Sequence, residues 1–210
     1  PDGHNNMGVA LQAQSKFDEA ILSFHQALTL KPDHAEAHNN MGVALQAQGK
    51  PEKAIASFHQ ALTLKPDYPD AHNNLGVALQ AHDQLDEAIS SFHQTIALKP
   101  DHVDAHKNAG TALQAQGKHE EAIASFRQAL ALQPDNADVY NNIGNALQAQ
   151  DKLDEAIASY DQALTLEPDN AEVYNNMGVA FKVQDKFDEA IASFRQALTL
   201  NPNSANVYNN

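Results

Sequence analysis

The sequence contains regularly spaced pairs of asparagines, and these carboxamides are the side chains best suited to bind another polypeptide. Pairs such as Asn39–Asn40 and Asn73–Asn74 recur at intervals of 34 residues. A carboxamide carries an acceptor oxygen and two donor hydrogens on one planar group, so it matches the N–H and C=O groups of an extended peptide backbone. Asparagine is also a mediocre helix former, so adjacent pairs inside a helix are costly unless they have another role.

The candidate peptide-binding residues are defined by their position in the 34-residue repeat, counted from Pro1. Position 6 is asparagine throughout, and Lys107 alone interrupts the asparagines at position 5. The predicted site comprises Asn6, Asn40, Asn74, Asn108, Asn142 and Asn176 at position 6, with Asn39, Asn73, Lys107, Asn141 and Asn175 at position 5. Asn5, Asn209 and Asn210 extend the two rows. Peptide binding requires carboxamides that stay unpaired within the protein; the alternative is that they join neighbouring helices, and the sequence leaves both roles open.

The other potentially reactive groups form no recognisable catalytic or metal-binding motif. Two histidine pairs, His34/His38 and His102/His106, have the i,i+4 spacing of metal ligands. Position 34, however, falls in the turn before a helix, so we expect capping and core roles for these rings. The chain has no cysteine, no Gly-rich phosphate loop and no Ser–His–carboxylate spacing. We therefore expect no enzymatic activity, no metal and no cofactor.

Proline and glycine mark the repeat that must position the asparagines. Prolines from Pro32 to Pro202 and glycines from Gly8 to Gly178 recur every 34 residues. The pattern predicts a single array over 1–210, with repeats 1–34, 35–68, 69–102, 103–136, 137–170 and 171–204, and the start of a seventh at 205–210. Because the chain stops one turn into a helix, it resembles a fragment of a longer protein.

Each repeat contains two helical patterns, over about positions 2–14 and 18–31, separated by turn signals. We expect Phe58 to fill the space between one hairpin and the next, and Asp67 to cap the helix after Pro66. We expect positions 2, 5, 6, 9, 12 and 13 to lie opposite the packing stripe of the first helix. In the second repeat the packing residues are Met41, Gly42 and Leu45 in the first helix and Ala54, Ile55, Phe58, Ala61 and Leu62 in the second.

The period resembles that of the tetratricopeptide repeat family over the whole chain. Gly at position 8, Leu at 11, Ala at 20, Phe or Tyr at 24, Ala at 27 and Pro at 32 carry the resemblance, and Thr95 departs from it at position 27. It implies an all-α, right-handed superhelical solenoid of helix-turn-helix repeats, with first helices on the concave wall. The asparagine row is also similar to that of the O-linked N-acetylglucosamine transferases, which implies a groove that holds substrate polypeptides by their backbone.

The charge and hydropathy exclude two classes of partner. A net charge of −14 would repel nucleic acid and anionic lipid surfaces, which require clustered lysine and arginine. No apolar stretch approaches the length of a membrane span, so a cytoplasmic location is the default expectation. Most carboxylates fall near helix starts, where the helix dipole already explains them.

The sequence thus predicts a protein–protein interaction module that binds extended polypeptides in an asparagine-lined concave groove, and that could be the substrate-recruiting part of a larger protein. One alternative is a structural scaffold that self-associates end to end through uncapped terminal repeats. Another is an array that was engineered or recently duplicated from one repeat.

Overall fold

The computed structural model describes residues 1–202. These residues form twelve helices, which are α1 Asp2–Ala13, α2 Phe17–Leu30, α3 Ala35–Ala47, α4 Pro51–Leu64, α5 Pro69–Ala81, α6 Leu85–Leu98, α7 Val103–Ala115, α8 His119–Leu132, α9 Ala137–Ala149, α10 Leu153–Leu166, α11 Ala171–Val183 and α12 Phe187–Leu200. The expected seventh repeat at 205–210, with Asn209 and Asn210, lies outside the described residues. Over the described part of the chain, no helix is both long enough and apolar enough to cross a bilayer.

The chain divides into two compact units, Pro1–Asn108 and Ala109–Asn210. In the N-terminal unit α1 packs on α2, α3 on α4 and α5 on α6, and successive hairpins meet through α2–α3 and α4–α5. In the C-terminal unit α9 packs on α10 and α11 on α12, with α8–α9 and α10–α11 joining the hairpins. The all-α class and the helix-turn-helix repeat are therefore confirmed, whereas one continuous array over the whole chain stays a prediction.

A glycine and an aromatic ring form the centre of each hairpin. The Phe58 ring is fully buried, and a Cβ atom added to Gly42 would lie only 2.6 Å from its Cε1 atom. The same arrangement recurs for Gly8 with Phe24, Gly76 with Phe92, Gly110 with Phe126, Gly144 with Tyr160 and Gly178 with Phe194. The ring thus packs against the first helix of its own hairpin, and its expected role in filling the space between hairpins stays a prediction. The space left by the missing glycine side chain explains this position.

The helix caps lie one residue later than the sequence suggested. The N-cap of α5 is Tyr68 rather than Asp67, since the helix begins at Pro69. Tyr68 is at position 34 of its repeat, and side chains at the same position cap other first helices. The Oδ1 atoms of Asn136 and Asn170 accept hydrogen bonds from Val139 N and Val173 N, both at 3.2 Å.

Two histidines cap first helices in the same way, as their position in the turn predicted. His34 Nδ1 accepts from Ala37 N at 3.4 Å, and His102 Nδ1 accepts from Ala105 N at 3.2 Å. Each ring therefore satisfies one of the unpaired N–H groups at a helix start. No group of three or more metal-ligating side chains gathers within residues 1–202.

Candidate functional site

The two asparagine rows lie in different environments. At position 5, Asn5, Asn39 and Asn141 are buried, with 2%, 5% and 8% of their surface exposed, and Asn73, Lys107 and Asn175 are half-buried. At position 6, Asn6 is exposed, and Asn40, Asn74, Asn108, Asn142 and Asn176 are half-buried. The expectation that position 5 lies opposite the packing stripe is therefore wrong for its buried members. One residue turns a helix by about 100°, and position 5 lies one turn before the buried glycine at position 8.

The rows are bonded to each other across neighbouring repeats. Four of the position-6 asparagines donate from Nδ2 to the Oδ1 of the position-5 asparagine one repeat earlier. In the N-terminal unit these bonds are Asn40 to Asn5 at 3.1 Å, Asn74 to Asn39 at 3.1 Å and Asn108 to Asn73 at 3.3 Å; in the C-terminal unit Asn176 bonds Asn141 at 3.1 Å. These carboxamides are therefore not unpaired, and their role in joining neighbouring helices, which the sequence left open, is observed. The condition stated above for peptide binding can be met only by the groups that this bond leaves over.

The position-6 asparagines retain hydrogen-bonding capacity after this pairing. A carboxamide has two N–H donors and an acceptor oxygen with two lone pairs, and the inter-repeat bond uses a single donor. The Oδ1 of Asn74 and its second N–H have no further bond among the described residues, and the side chain is half-buried. Because the inter-repeat bond fixes the amide plane, the remaining groups are held in one orientation before any ligand arrives.

These asparagines share a surface with positions 9, 12 and 13, which we call the first-helix face. In the second repeat it comprises Asn40, Val43, Gln46 and Ala47, of which Ala47 is exposed and the others half-buried. Neighbouring first helices contact each other in α1–α3, α3–α5 and α9–α11, so the face continues from one repeat to the next within each compact unit. It offers alternating carboxamide and apolar surface.

The charge near this face is mainly negative. The position-2 residues are exposed carboxylates at the starts of the first helices: Asp2, Glu36, Asp70, Asp104, Asp138 and Glu172. The Lys107 ammonium lies 3.3 Å from Asp104 on its own helix, so its charge is balanced locally. The face therefore suits a neutral or basic ligand better than an anionic one.

The fifth repeat carries a polar cluster that the prediction missed. The Tyr160 hydroxyl lies 2.8 Å from Asn145 Oδ1 and 3.0 Å from Gln148 Oε1, and burial raises the pKa of this hydroxyl above its ordinary value. Both substitutions were visible in the sequence, since position 24 is Phe in the other repeats and position 9 is Val in four of them. The signal in the sequence was that Asn145 and Tyr160 both depart from the commonest residue at their positions and do so in the same repeat.

A separate groove lies on the second-helix side of the N-terminal unit. It has a volume of about 620 Å³ and is lined by α2, α3 and α4, including Leu22 and Met41. Leu22 is 64% exposed there. The polar rim is formed by Gln48, whose Nε2 donates to Asp18 Oδ1 at 2.8 Å. This groove is a second place where a partner could bind.

Comparison with known proteins identifies the repeat. The family model described as TPR repeat matches 10–49, 47–83, 110–151 and 149–185, and the one described as tetratricopeptide repeat matches 171–204, so together they cover more than half of the chain. No curated protein matches in sequence.

Solved structures share the fold at low sequence identity. PilW, a type IV pilus biogenesis factor, has a TM-score of 0.89 at 21% identity, over 99% of this chain and 96% of its own. PilF of Pseudomonas aeruginosa has a TM-score of 0.84 at 21% identity, over 99% and 95%. YrrB, a TPR protein with an unusual peptide-binding site, has a TM-score of 0.75 at 20% identity, over 89% and 96%. With the family models matching across most of its length, the chain belongs to the tetratricopeptide repeat family.

Proposed function

We propose that the chain binds extended polypeptides along the first-helix face, through the hydrogen-bonding groups of the position-6 asparagines that their bonds within the protein leave over. The fold is that of a protein–protein interaction module, since tetratricopeptide repeat proteins are generally scaffolds or interaction modules. The observation that carries the proposal is the half-exposed position-6 carboxamide, held by its bond to position 5 with its remaining groups unused. The buried position-5 residues Asn5, Asn39 and Asn141 hold the position-6 side chains in place and do not themselves contact the ligand.

A row of identical amides favours the backbone of the ligand over its side chains. Every residue of a peptide except proline has one N–H and one C=O, and a carboxamide can bond both. The half-buried valines Val43 and Val77 at position 9 add apolar contacts beside the asparagines. The expected ligand is therefore an unstructured segment of broad sequence, neutral or basic because of the exposed carboxylates at position 2.

The binding should be weak for short peptides and rise with length. A hydrogen bond contributes about 0.5–1.5 kcal/mol net, whereas association costs at least about 4 kcal/mol, so several repeats must bind at once before a complex forms. Such a module gains useful affinity when it is tethered to its target or belongs to a larger protein. We accordingly propose that it recruits substrates or partners for a larger protein, the role that the resemblance of its asparagine sequence pattern to that of the O-linked N-acetylglucosamine transferases would imply. The peptide-binding site of the structurally similar YrrB supports this choice.

A matched pair of variants tests the proposal. Asn74→Ala and Asn39→Ala each remove the bond between Asn74 Nδ2 and Asn39 Oδ1, and Asn39→Ala also removes the 3.4 Å bond from Asn39 Nδ2 to Asn40 Oδ1. Only the first also removes a group from the first-helix face, because Asn39 is buried. We expect Asn74→Ala to weaken binding of a panel of unstructured peptides more than Asn39→Ala does, measured by fluorescence anisotropy. Equal losses would mean that the rows are structural only. Leu22→Ser, in the second-helix groove, should leave binding unchanged.

Self-association is a second candidate role, and exposed apolar side chains favour it. On α12, Phe187 is 58% exposed and Ile191 is 47% exposed. Exposed apolar clusters of this kind commonly mark interaction surfaces. Analytical ultracentrifugation distinguishes the two roles: assembly that grows with concentration, is abolished by Phe187→Ser and occurs without peptide binding would replace the recruiting role with a scaffold.

A further inference from the structure

The first-helix face of the C-terminal unit contains a small cavity in the fifth repeat. It has a volume of about 280 Å³ and is lined by Asn145, Gln148, Ala149, Asn176 and Val179, from α9 and α11. The buried Tyr160 hydroxyl lies against two of these residues, 2.8 Å from Asn145 Oδ1 and 3.0 Å from Gln148 Oε1. This volume is close to the lower limit of typical small-ligand pockets, about 300 Å³, so it suits a side chain rather than a whole cofactor.

The hydrogen bonds within the cluster leave groups over for a ligand. A tyrosine hydroxyl has one hydrogen, so it can satisfy only one of the two amide oxygens fully at a time. The NH₂ groups of Asn145 and Gln148 have no partner within residues 1–202. The cluster therefore presents donors together with an under-used acceptor.

The chemistry of the lining selects a neutral ligand that both donates and accepts. No lysine or arginine lines the cavity, and the protein carries a net charge of −14, so a carboxylate would be desolvated without a counter-charge. An aliphatic side chain would leave the NH₂ groups and the spare oxygen unpaired. A primary carboxamide has an oxygen for the NH₂ groups and an NH₂ for the spare oxygen.

We propose that Asn145, Gln148 and Tyr160 form a subsite for an asparagine or glutamine side chain of the bound polypeptide. The subsite rests on the proposed function, and it adds a single sequence-selective position to a face that otherwise binds main chain. It fixes the register of the ligand, because a carboxamide in the fifth repeat determines which residues lie against the neighbouring repeats. The other repeats lack this trio: where position 9 is valine and position 24 is phenylalanine, neither residue has a polar side-chain atom.

The test uses variants that restore the residues of the other repeats. The double variant Asn145→Val/Tyr160→Phe gives the fifth repeat the valine of Val43 and the phenylalanine of Phe58, so it should fold. The probes are peptides of one host sequence with Gln, Glu or Leu at the central position. We expect the wild type to bind the Gln peptide about 5- to 10-fold more tightly than the other two, the effect of one or two hydrogen bonds. The double variant should bind all three equally.

The outcomes separate this subsite from the proposed function. Peptide binding without a preference for Gln, or a preference that survives in the double variant, would overturn the subsite and leave the interaction role intact. If no peptide binds, the interaction role fails, and NMR decides the subsite alone. Selective shifts of the Asn145 and Gln148 side-chain NH₂ signals with N-acetylglutamine amide, but not with N-acetylleucine amide, would support it. Equal or absent shifts would exclude it.

Discussion

Replacement of Gly42 by alanine should destabilise the protein, although alanine is the better helix former. The added Cβ would lie 2.6, 2.8 and 2.9 Å from Cε1, Cδ1 and Cζ of Phe58. All three separations are shorter than a normal carbon–carbon contact of about 3.5–4.0 Å. The Phe58 ring is fully buried, so it cannot move aside into solvent.

Two opposing terms set the size of the effect. Overpacking of a rigid core costs typically about 1–3 kcal/mol, and three short contacts with a buried ring place this site near the upper end. Replacement of an interior helical glycine by alanine contributes about 1 kcal/mol in the other direction. The net loss in the free energy of unfolding should therefore be about 2 kcal/mol.

Chemical denaturation followed by circular dichroism measures this loss, with hydrogen exchange of the α3 and α4 amides to localise it. Gly3→Ala is the matched control, because nothing lies within 4 Å of the Cβ it would add; it should be neutral or stabilising. Adding Phe58→Leu to Gly42→Ala should recover part of the lost stability by shortening the side chain opposite the new methyl group. A Gly42→Ala variant as stable as the wild type would show that the Phe58 ring does not exclude a methyl group at this position.

Three further predictions concern polar groups. In the C-terminal unit, a double-mutant cycle of Asn141→Ala and Asn176→Ala, measured by denaturation, should give a coupling energy of about 0.5–1.5 kcal/mol. A value near zero would show that the 3.1 Å hydrogen bond between the two side chains does not contribute to stability. A backbone hydrogen bond and the His82 side chain lower the pKa of Glu52 below its ordinary value of 4.5. The stabilisation from the charged Glu52 is present above pH 4.5 and should be lost as the pH falls through the lower pKa of the folded state. NMR titration of His82→Ala should show that the pKa of Glu52 is still lowered, but by less than in the wild type. Burial raises the pKa of Tyr160 above its ordinary value of 10.0, so the stabilisation from the neutral hydroxyl is present below pH 10.0 and should be lost as the pH rises further. The Tyr160→Phe variant should lack the most alkaline step of the ultraviolet titration.

The repeat and its helices could be predicted because their signals are local. Proline and glycine recur at fixed intervals and report turns directly, and the apolar stripe around Met41 and Leu45 is buried as its spacing implied. The caps were displaced by one residue because Asp67 and Tyr68 are adjacent, and only the backbone determines which of the two directly precedes the helix.

The candidate site was harder to predict, since it depends on contacts between repeats. Asn39 and Asn40 are neighbours of the same type, and periodicity alone assigned both to the side opposite the packing stripe. The bond between Asn74 and Asn39 joins different repeats and depends on how closely their helices approach, which composition does not encode. Once that bond is known, the two rows can be distinguished, since position 6 donates the inter-repeat hydrogen bond and position 5 accepts it.

The position of the aromatic ring has a consequence for how such a protein can change its size. Since Phe58 and Gly42, against which its ring packs, belong to the same 34-residue repeat, removal or insertion of a whole repeat leaves this contact intact in every remaining hairpin. The array can therefore lengthen or shorten in whole repeats without redesign of its core, and each added repeat supplies one more asparagine at position 6. Gene duplication can in this way change the number of position-6 asparagines in steps of one, without a new core having to evolve.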